Sequence, residues 1–283
     1  MLDSGNAIIK SKIRQFSNLP TLSVIQSKLV KTIGQPNASV DEIVEIIRHD
    51  PALSTKVVAV ANSPFFGHPG RVESLEKAVM MVGFDFLKGI TLSICIFGFF
   101  PQTKALRGMW AHSYAVATLA GILGQRLGGV DSNSAFLAGL LHDVGRSVFM
   151  KIYAEEPNRQ LATEIFELKG DELLRAEVET LFCDHAQAGR WFLESLTFAQ
   201  DVIEPVGMHH GPAEKIGGSG LVPVIYLAEG MLGLFSPDLA GDGEWTDQHQ
   251  HVLAACGLKD DDKENITKHI KDEEASIRRF FDL

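Results

Sequence analysis

The residues most able to do chemistry are histidines and carboxylates that fall inside apolar segments of the second half of the chain. His142 and Asp143 follow the segment 132–141, which carries no charge, and Glu229 is the only formally charged residue in the segment 221–235. An ionised carboxylate buried in such a segment needs a strong partner, because burying it bare costs several kcal/mol.

Other histidines supply candidate partners for these carboxylates. His112 shares an apolar helical stripe with its neighbours, and His209 and His210 close a predicted helix. His185 follows Asp184, a predicted N-cap, and a helix N-terminus disfavours imidazolium. Neutral imidazoles and ionised carboxylates are ligands for Fe, Mn, Ni or Zn. The set predicts one or two divalent transition metals per chain, with the candidate ligands His112, His142, Asp143, His185, His209, His210 and Glu229.

Each of these residues, taken alone, also has an ordinary structural interpretation. A buried histidine such as His112 usually bonds a backbone carbonyl, and His209 and His210 could favour a helix C-terminus through the dipole. Asp143 could form a salt bridge to Arg146 or cap a helix. The set nevertheless favours metal, because several buried ionisable groups need compensation at once.

Arg146 is the candidate phosphate-binding residue. It lies one helical turn after His142, and a guanidinium beside a metal can hold a phosphate oxygen in a bidentate manner. Its alternative role is a salt bridge to Asp143 or Glu229. In a catalytic interpretation Asp143 holds the metals, Arg146 or Lys151 stabilises the phosphate charge, and metal-activated water is the nucleophile.

Helical periodicity runs through almost the whole chain, without an alternating strand pattern, which predicts an all-α fold of two helical lobes. Residues 101–108 are the best boundary between an N-terminal lobe at 10–105 and a second lobe at 106–283, which ends in an acidic helix at 262–281. The pair His49–Asp50 is predicted to be a helix break with a cap rather than a metal site, because Pro51 follows it. The ligands fall on or beside helices predicted at 110–127, 134–153, 186–196, 201–210 and 221–235.

Composition limits the classes of partner. The 283 residues are 45% hydrophobic and 22% charged, as in globular proteins, and the net charge of −10 disfavours general nucleic-acid binding and anionic membranes. Cys95, Cys183 and Cys256 form no CxxC pair and indicate reduced thiols. The start MLDSGNAIIKSK lacks a signal-peptide layout, and the longest apolar stretch, 89–100, is shorter than the ~20 residues of a membrane span. We therefore expect a cytoplasmic location.

The candidate ligands resemble the signature of the HD superfamily of metal-dependent phosphohydrolases, which is His, then His-Asp, then a distant Asp. The resemblance assigns these positions to His112, to His142 with Asp143, and to Glu229, whose carboxylate lies about one methylene further out. His185, His209 and His210 resemble the extra ligands of the HD-GYP branch, which forms multinuclear sites. Arg146 stands in HDVGR where that branch usually has a lysine.

The whole chain looks most like the HDOD family, the HD-related output domain of bacterial signalling proteins, over about residues 16 to 235. The resemblance rests on the segments LPTLSVIQSKLV, IIRHDPALSTKVVAVANSPFF, ESLEKAVMMVGFDFLKGITL and AFLAGLLHDVG. It implies a two-lobed helical HDOD fold with an HD-type domain in the second half. HDOD proteins commonly lose the HD ligands, whereas this sequence retains them. The segment GPAEKIGGSG after His210 contains no GYP tripeptide, which argues against cyclic di-GMP hydrolysis.

Two functions follow as hypotheses, both ranked above a purely helical scaffold without metal, which would require all five histidines to be incidental. The first is a regulatory signal-transduction module that binds a protein partner or a nucleotide-like ligand, with a retained metal site. The second is a metal-dependent phosphohydrolase acting on a phosphoester or nucleotide.

Overall fold

The computed structural model describes residues 2–16, 24–33, 39–62, 72–100, 103–153, 164–236, 239 and 244–280. All regular secondary structure in these ranges is helical, which confirms the predicted all-α class. Within the same ranges, no helix combines the length and the apolar character that a membrane span requires.

One compact unit comprises Asn18–Pro101. Three of its helices begin at polar caps: the side chains of Ser39, Asp50 and Ser74 each accept a hydrogen bond from a backbone N–H of the following turn. The cap at Asp50 with Pro51 at the first helical position confirms the predicted helix break there. The helices of this unit are α2 (Val24–Ile33), α3 (Val40–Arg48), α4 (Pro51–Ala61), α5 (Leu75–Val82) and α6 (Phe84–Phe99).

The other unit comprises Met1–Ser17 together with Gln102–Leu283. It holds every candidate ligand. Its helices are α1 (Leu2–Phe16), α7 (Lys104–Arg126), α8 (Ser132–Leu141), α9 (Val144–Tyr153), α10 (Gly170–Leu181), α11 (His185–Ser195), α12 (Gln200–Met208), α13 (Ala213–Ile216), α14 (Leu221–Phe235), α15 (Asp247–Ala255) and α16 (Asp260–Phe280).

The unit boundaries differ from the expected division at 10–105 and 106–283, because α1 packs against α11 in the second unit. Ile9 and Ile13 of α1 are buried. Gly5 permits the close approach, since a Cβ at this position would overlap the ring of Phe182. The sequence around α1 shows an amphipathic helix but does not reveal which unit covers its apolar face.

The centre of this second unit is α7, which is buried continuously from Trp110 to Gly124 and packs against α8, α14 and α16. Gly139 brings α8 close to it, since a Cβ there would lie 2.8 Å from the Cα of Ala117. This contact sets the distance between His112 on α7 and the residues that follow α8.

The predicted continuous helix at 134–153 is wrong in one respect, because a turn at His142 and Asp143 separates α8 from α9. Gly145 explains the local packing: a Cβ there would overlap the carbonyl oxygen of His185, so only glycine lets α9 lie so close to the start of α11. The turn and the close contact together place Asp143 beside His185.

Candidate metal centre

The first group of candidate ligands, group 1, consists of His112, His142 and Glu229. His112 donates a hydrogen bond from Nδ1 to the carbonyl oxygen of Leu239 at 2.7 Å, and His142 donates from Nδ1 to that of Gly139 at 2.8 Å. Because a carbonyl oxygen can only accept, each neutral ring keeps its lone pair on Nε2. These two Nε2 atoms lie 3.1 Å apart, and Oε1 of Glu229 lies 4.0 Å from Nε2 of His142.

The second group, group 2, consists of His185, His209 and His210, whose ligand atoms lie within 4.8 Å of one another. His185 is the first residue of α11, whose N-cap is Asp184 as the sequence predicts. His209 and His210 follow the last turn of α12. Nδ1 of His209 donates to the carbonyl oxygen of Val206 at 2.7 Å, and its Nε2 has no hydrogen-bond partner among the described residues.

Asp143 lies between the two groups and presents one oxygen to each. Its Oδ2 lies 3.8 Å from Nε2 of His112 and 3.7 Å from Nε2 of His142. Its Oδ1 lies 3.3 Å from Nε2 of His185 and 3.8 Å from Nε2 of His209. The carboxylate is completely buried, and neither oxygen accepts a hydrogen bond from the part of the chain that the structure describes. A carboxylate so placed can bridge two cations.

The electrostatics favour an ionised carboxylate at Asp143 and neutral imidazoles at His209 and His210. Burial alone would raise the pKa of Asp143, but the positive charge that His142 carries when protonated and the charge of Arg146 lower it well below 3.8. Burial, reinforced by His142, holds the pKa of His209 well below 6.5. Burial and the neighbouring His209 do the same for the pKa of His210. These are the protonation states that metal binding requires.

Glu177 lies directly behind group 2. This α10 residue is completely buried, and its Oε2 accepts two hydrogen bonds from His185, from the backbone N–H at 2.9 Å and from Nδ1 at 2.8 Å. Since a carboxylate can only accept, Nδ1 of His185 carries the hydrogen and Nε2 faces Asp143. An outer carboxylate of this kind orients a metal-ligating histidine and raises its basicity.

Two cavities reach the centre. The smaller, of about 240 Å³, is lined by His112, Asp143, Arg146 and Lys169. The guanidinium of Arg146 lies 3.5 Å from Oδ2 of Asp143 and donates to the carbonyl oxygen of Phe166 at 3.3 Å. The cations Arg146 and Lys169 share this lining with the carboxylates Asp143 and Glu167, so a phosphoryl group would bind at the guanidinium of Arg146 rather than to a generally cationic cleft.

The larger cavity, of about 1030 Å³, reaches His209, His210 and Glu229. Most of the charged residues described along its wall are acidic, since Asp171, Glu244 and Asp247 accompany Lys169 there. The two openings therefore differ in both size and charge.

Comparison with known proteins decides the family. The profile of the HDOD domain matches residues 19–212, which is more than half of the chain. The chain belongs to the HDOD family. Two solved structures share this HDOD fold along nearly their whole length: a proposed phosphohydrolase from Shewanella amazonensis and an HDOD domain protein of unknown function from Geobacter sulfurreducens.

Both similarities are distant in sequence. The Shewanella protein is 21% identical with a TM-score of 0.67, covering 96% of this chain and 97% of its own. The Geobacter protein is also 21% identical, with a TM-score of 0.65 and 98% coverage of both chains. An uncharacterized protein of Treponema pallidum is 25% identical over 204 residues, and this HDOD chain spans 38% of its length. The structural matches show the fold.

The structure brings all seven sequence-predicted ligands of this HDOD chain into one cluster, in which only His210 is half-buried and the other six are buried. The His49–Asp50 pair belongs to the Asn18–Pro101 unit, which contains none of these ligands. Lys151, the other expected phosphate partner, is absent from the described lining of both cavities, and Lys169 lines both instead. Sequence reasoning also missed Glu177, although this residue shares a buried stripe with Leu173 and Leu181.

Proposed function

We propose that this HDOD chain holds two divalent transition-metal ions and hydrolyses a phosphoester with them. The observation that carries the proposal is the position of Asp143, whose two buried oxygens face the Nε2 atoms of two adjoining histidine groups. Group 1 would hold one ion and group 2 the other, with Asp143 shared. The mixture of imidazole and carboxylate ligands suits Fe, Mn, Ni or Zn.

The ligand atoms of this site are arranged to bind cations rather than to satisfy one another by hydrogen bonds. The Nε2 atoms of His112 and His142 face each other at 3.1 Å, and both oxygens of Asp143 are buried without a hydrogen bond from a described residue. Buried polar atoms of a native protein are normally satisfied. Positive charge between these atoms would satisfy lone pairs and carboxylate together.

When bound, ions of this class supply a hydroxide nucleophile near neutral pH and polarise a phosphoryl oxygen. The chain supplies the remaining functions. Arg146 lines the smaller cavity 3.5 Å from Oδ2 of Asp143, where its planar guanidinium can bind a phosphoryl oxygen. Lys169 lines both cavities and adds positive charge at the same entrance.

The larger cavity indicates the rest of the substrate. Asp171, Glu229, Glu244 and Asp247 outnumber Lys169 along its wall, so this wall repels further anionic groups. We infer a substrate with one phosphoester and a bulky, neutral or cationic remainder, such as a nucleoside monophosphate. Polyphosphates and cyclic dinucleotides would place a second anion against these carboxylates and should be poor substrates.

A second candidate is a regulatory signal-transduction module in which the metal centre is structural. The Asn18–Pro101 unit favours this alternative, because it holds none of the seven candidate ligands. Its α5 also exposes Met80, which is 86% accessible. A unit without candidate ligands is expected to contribute recognition of a protein partner or a nucleotide-like signal.

The test is a hydrolysis assay on metal-loaded protein. Wild type and Asp143→Ala are incubated with nucleoside mono-, di- and triphosphates, phosphomonoesters and cyclic dinucleotides, with and without chelator. We expect hydrolysis of monophosphates by wild type alone, lost in chelator and restored by Mn or Fe. Equal activity in both proteins would mean that the site does not catalyse it. No activity in fully metallated wild type would favour the regulatory module.

A further inference from the structure

Glu177 differs from the other groups that orient the histidines. The Nδ1 atoms of His112, His142 and His209 each donate to a neutral backbone carbonyl. The Nδ1 of His185 donates instead to a completely buried carboxylate at 2.8 Å. The same oxygen, Oε2, accepts the backbone N–H of His185 at 2.9 Å, so Glu177 holds both the ring and the start of α11.

The two ligand groups also differ in charge. Group 1 contains the carboxylate of Glu229, whereas group 2 consists of three imidazoles. Asp143 is shared between the groups and contributes to both. A cation at group 2 would therefore have one carboxylate fewer in direct contact, although His185 and His209 are fully buried. The carboxylate of Glu177 supplies a negative charge that does not touch the cation directly but contacts the far side of the His185 ring.

We propose that Glu177 is a positioning residue through which group 2 retains its metal, while group 1 does not depend on it. The proposal rests on the two-metal centre proposed above. Glu177 acts through His185 in two ways: its hydrogen bond sets the tautomer that presents Nε2 toward Asp143, and its charge offsets the missing ligand carboxylate. Partners of this kind change metal affinity by roughly 10–100-fold.

The substitution Glu177→Gln separates the charge from the shape, because the amide oxygen can still accept a hydrogen bond. We expect its group 2 to bind metal roughly 10–100-fold more weakly, with group 1 unchanged. Elemental analysis after dialysis should then find two metals per chain in wild type and one in the variant. A stepwise Co²⁺ titration monitored by visible absorption should show two binding steps in wild type and only one of them in the variant.

A matched control and a conservative variant sharpen the test. Glu179→Gln removes the same charge from an exposed position on the same helix and should bind metal like wild type. Glu177→Asp keeps the charge on a shorter side chain and should recover part of the lost affinity. If only the size of the Glu177 side chain mattered, Gln would bind metal like wild type and Asp would bind it more weakly, which is the reverse of the expected order.

The outcomes separate this inference from the proposed function. Two unaltered Co²⁺ binding steps in Glu177→Gln would overturn the role of Glu177 and leave the two-metal centre standing. Loss of both metals would overturn its selectivity for group 2. A wild type that binds no Co²⁺ would overturn the centre itself. If Glu177→Gln fails to fold, Glu177→Asp decides, because two unaltered steps in that variant would contradict the required geometry.

Discussion

The Nε2 atoms of His112 and His142 lie 3.1 Å apart, although both rings direct Nδ1 at a backbone carbonyl oxygen. When both rings are neutral they present lone pairs to each other, and this repulsion is unfavourable in a buried site unless a proton or a metal ion lies between the two nitrogens. Metal binding should relieve this repulsion only in the folded protein. The pair thus links metal occupancy to stability.

Metal should therefore stabilise the fold. Mn²⁺ at about a hundred times its dissociation constant should raise the free energy of unfolding by about 2.7 kcal/mol for one site. Thermal unfolding of chelator-treated protein, with and without added Mn²⁺, measures the change. In Asp143→Ala, added Mn²⁺ should raise the free energy of unfolding only slightly. Unfolding curves of wild type that coincide with and without metal would contradict this prediction.

Gly145→Ala tests the packing that positions His185. The added Cβ would overlap the carbonyl oxygen of His185, so α9 and α11 must separate. We expect a loss of stability of about 1–3 kcal/mol or more, together with weaker metal binding at group 2. Gly128→Ala is the control, because a Cβ there meets nothing within 4 Å. Equal stability and metal content in the two variants would show that this contact is unimportant.

These residues show what the sequence could predict and what it could not. His142, Asp143 and Glu229 were identified because charged or polar groups within apolar helices require partners. Sequence could not predict that Asp143 divides its two oxygens between two groups, since this depends on how closely helices approach. The glycine contacts that set this approach involve residues far apart in the chain.

Other misses had weaker signals. Glu177 could have been noticed as a charge at four-residue spacing from Leu173 and Leu181, the pattern of a buried helical face. Lys169 had no such signal, because it precedes α10 and only the folded chain brings it to both cavities.

Arg146→Ala should separate phosphate binding from metal binding. Arg146 lines the smaller cavity beside Asp143 but belongs to neither ligand group. We expect both metals to remain while the rate of phosphoester hydrolysis falls by about 10²–10³, as for loss of a charge-stabilising donor. Steady-state kinetics and elemental analysis of the same preparation measure both quantities. Loss of metal in parallel with activity would assign Arg146 to the metal centre instead.

His249 should make the stability of metal-free protein depend on pH. Burial lowers its pKa to about 4 from 6.5, and its ring stacks on Tyr226 at 4.0 Å. Between these values the unfolded chain binds one more proton than the folded chain. The free energy of unfolding should therefore fall as pH falls from 6.5 toward 4, by ~1.4 kcal/mol per pH unit for this group.

The variant His249→Gln isolates this contribution. Glutamine is compatible with the capping box that His249 now forms with Thr246, so the helix start should persist. Urea unfolding at several pH values gives the free energy of unfolding as a function of pH. Between pH 4 and 6.5 its slope in the variant should correspond to about one proton fewer than in wild type. His251→Gln, at an exposed position of the same helix, is the control. An unchanged slope in His249→Gln would contradict the assignment.

The metal content of Asp143→Ala, measured beside wild type, tests the central claim most directly. Both proteins are produced in medium supplemented with Mn and Fe, purified without chelator and subjected to elemental analysis. Because Asp143 faces both ligand groups, we predict two transition-metal ions per wild-type chain and loss of most of both in Asp143→Ala. Asp50→Ala, which removes only the N-cap of α4, should keep the wild-type content. A metal-free wild type, or an Asp143→Ala protein with undiminished metal, would contradict the account.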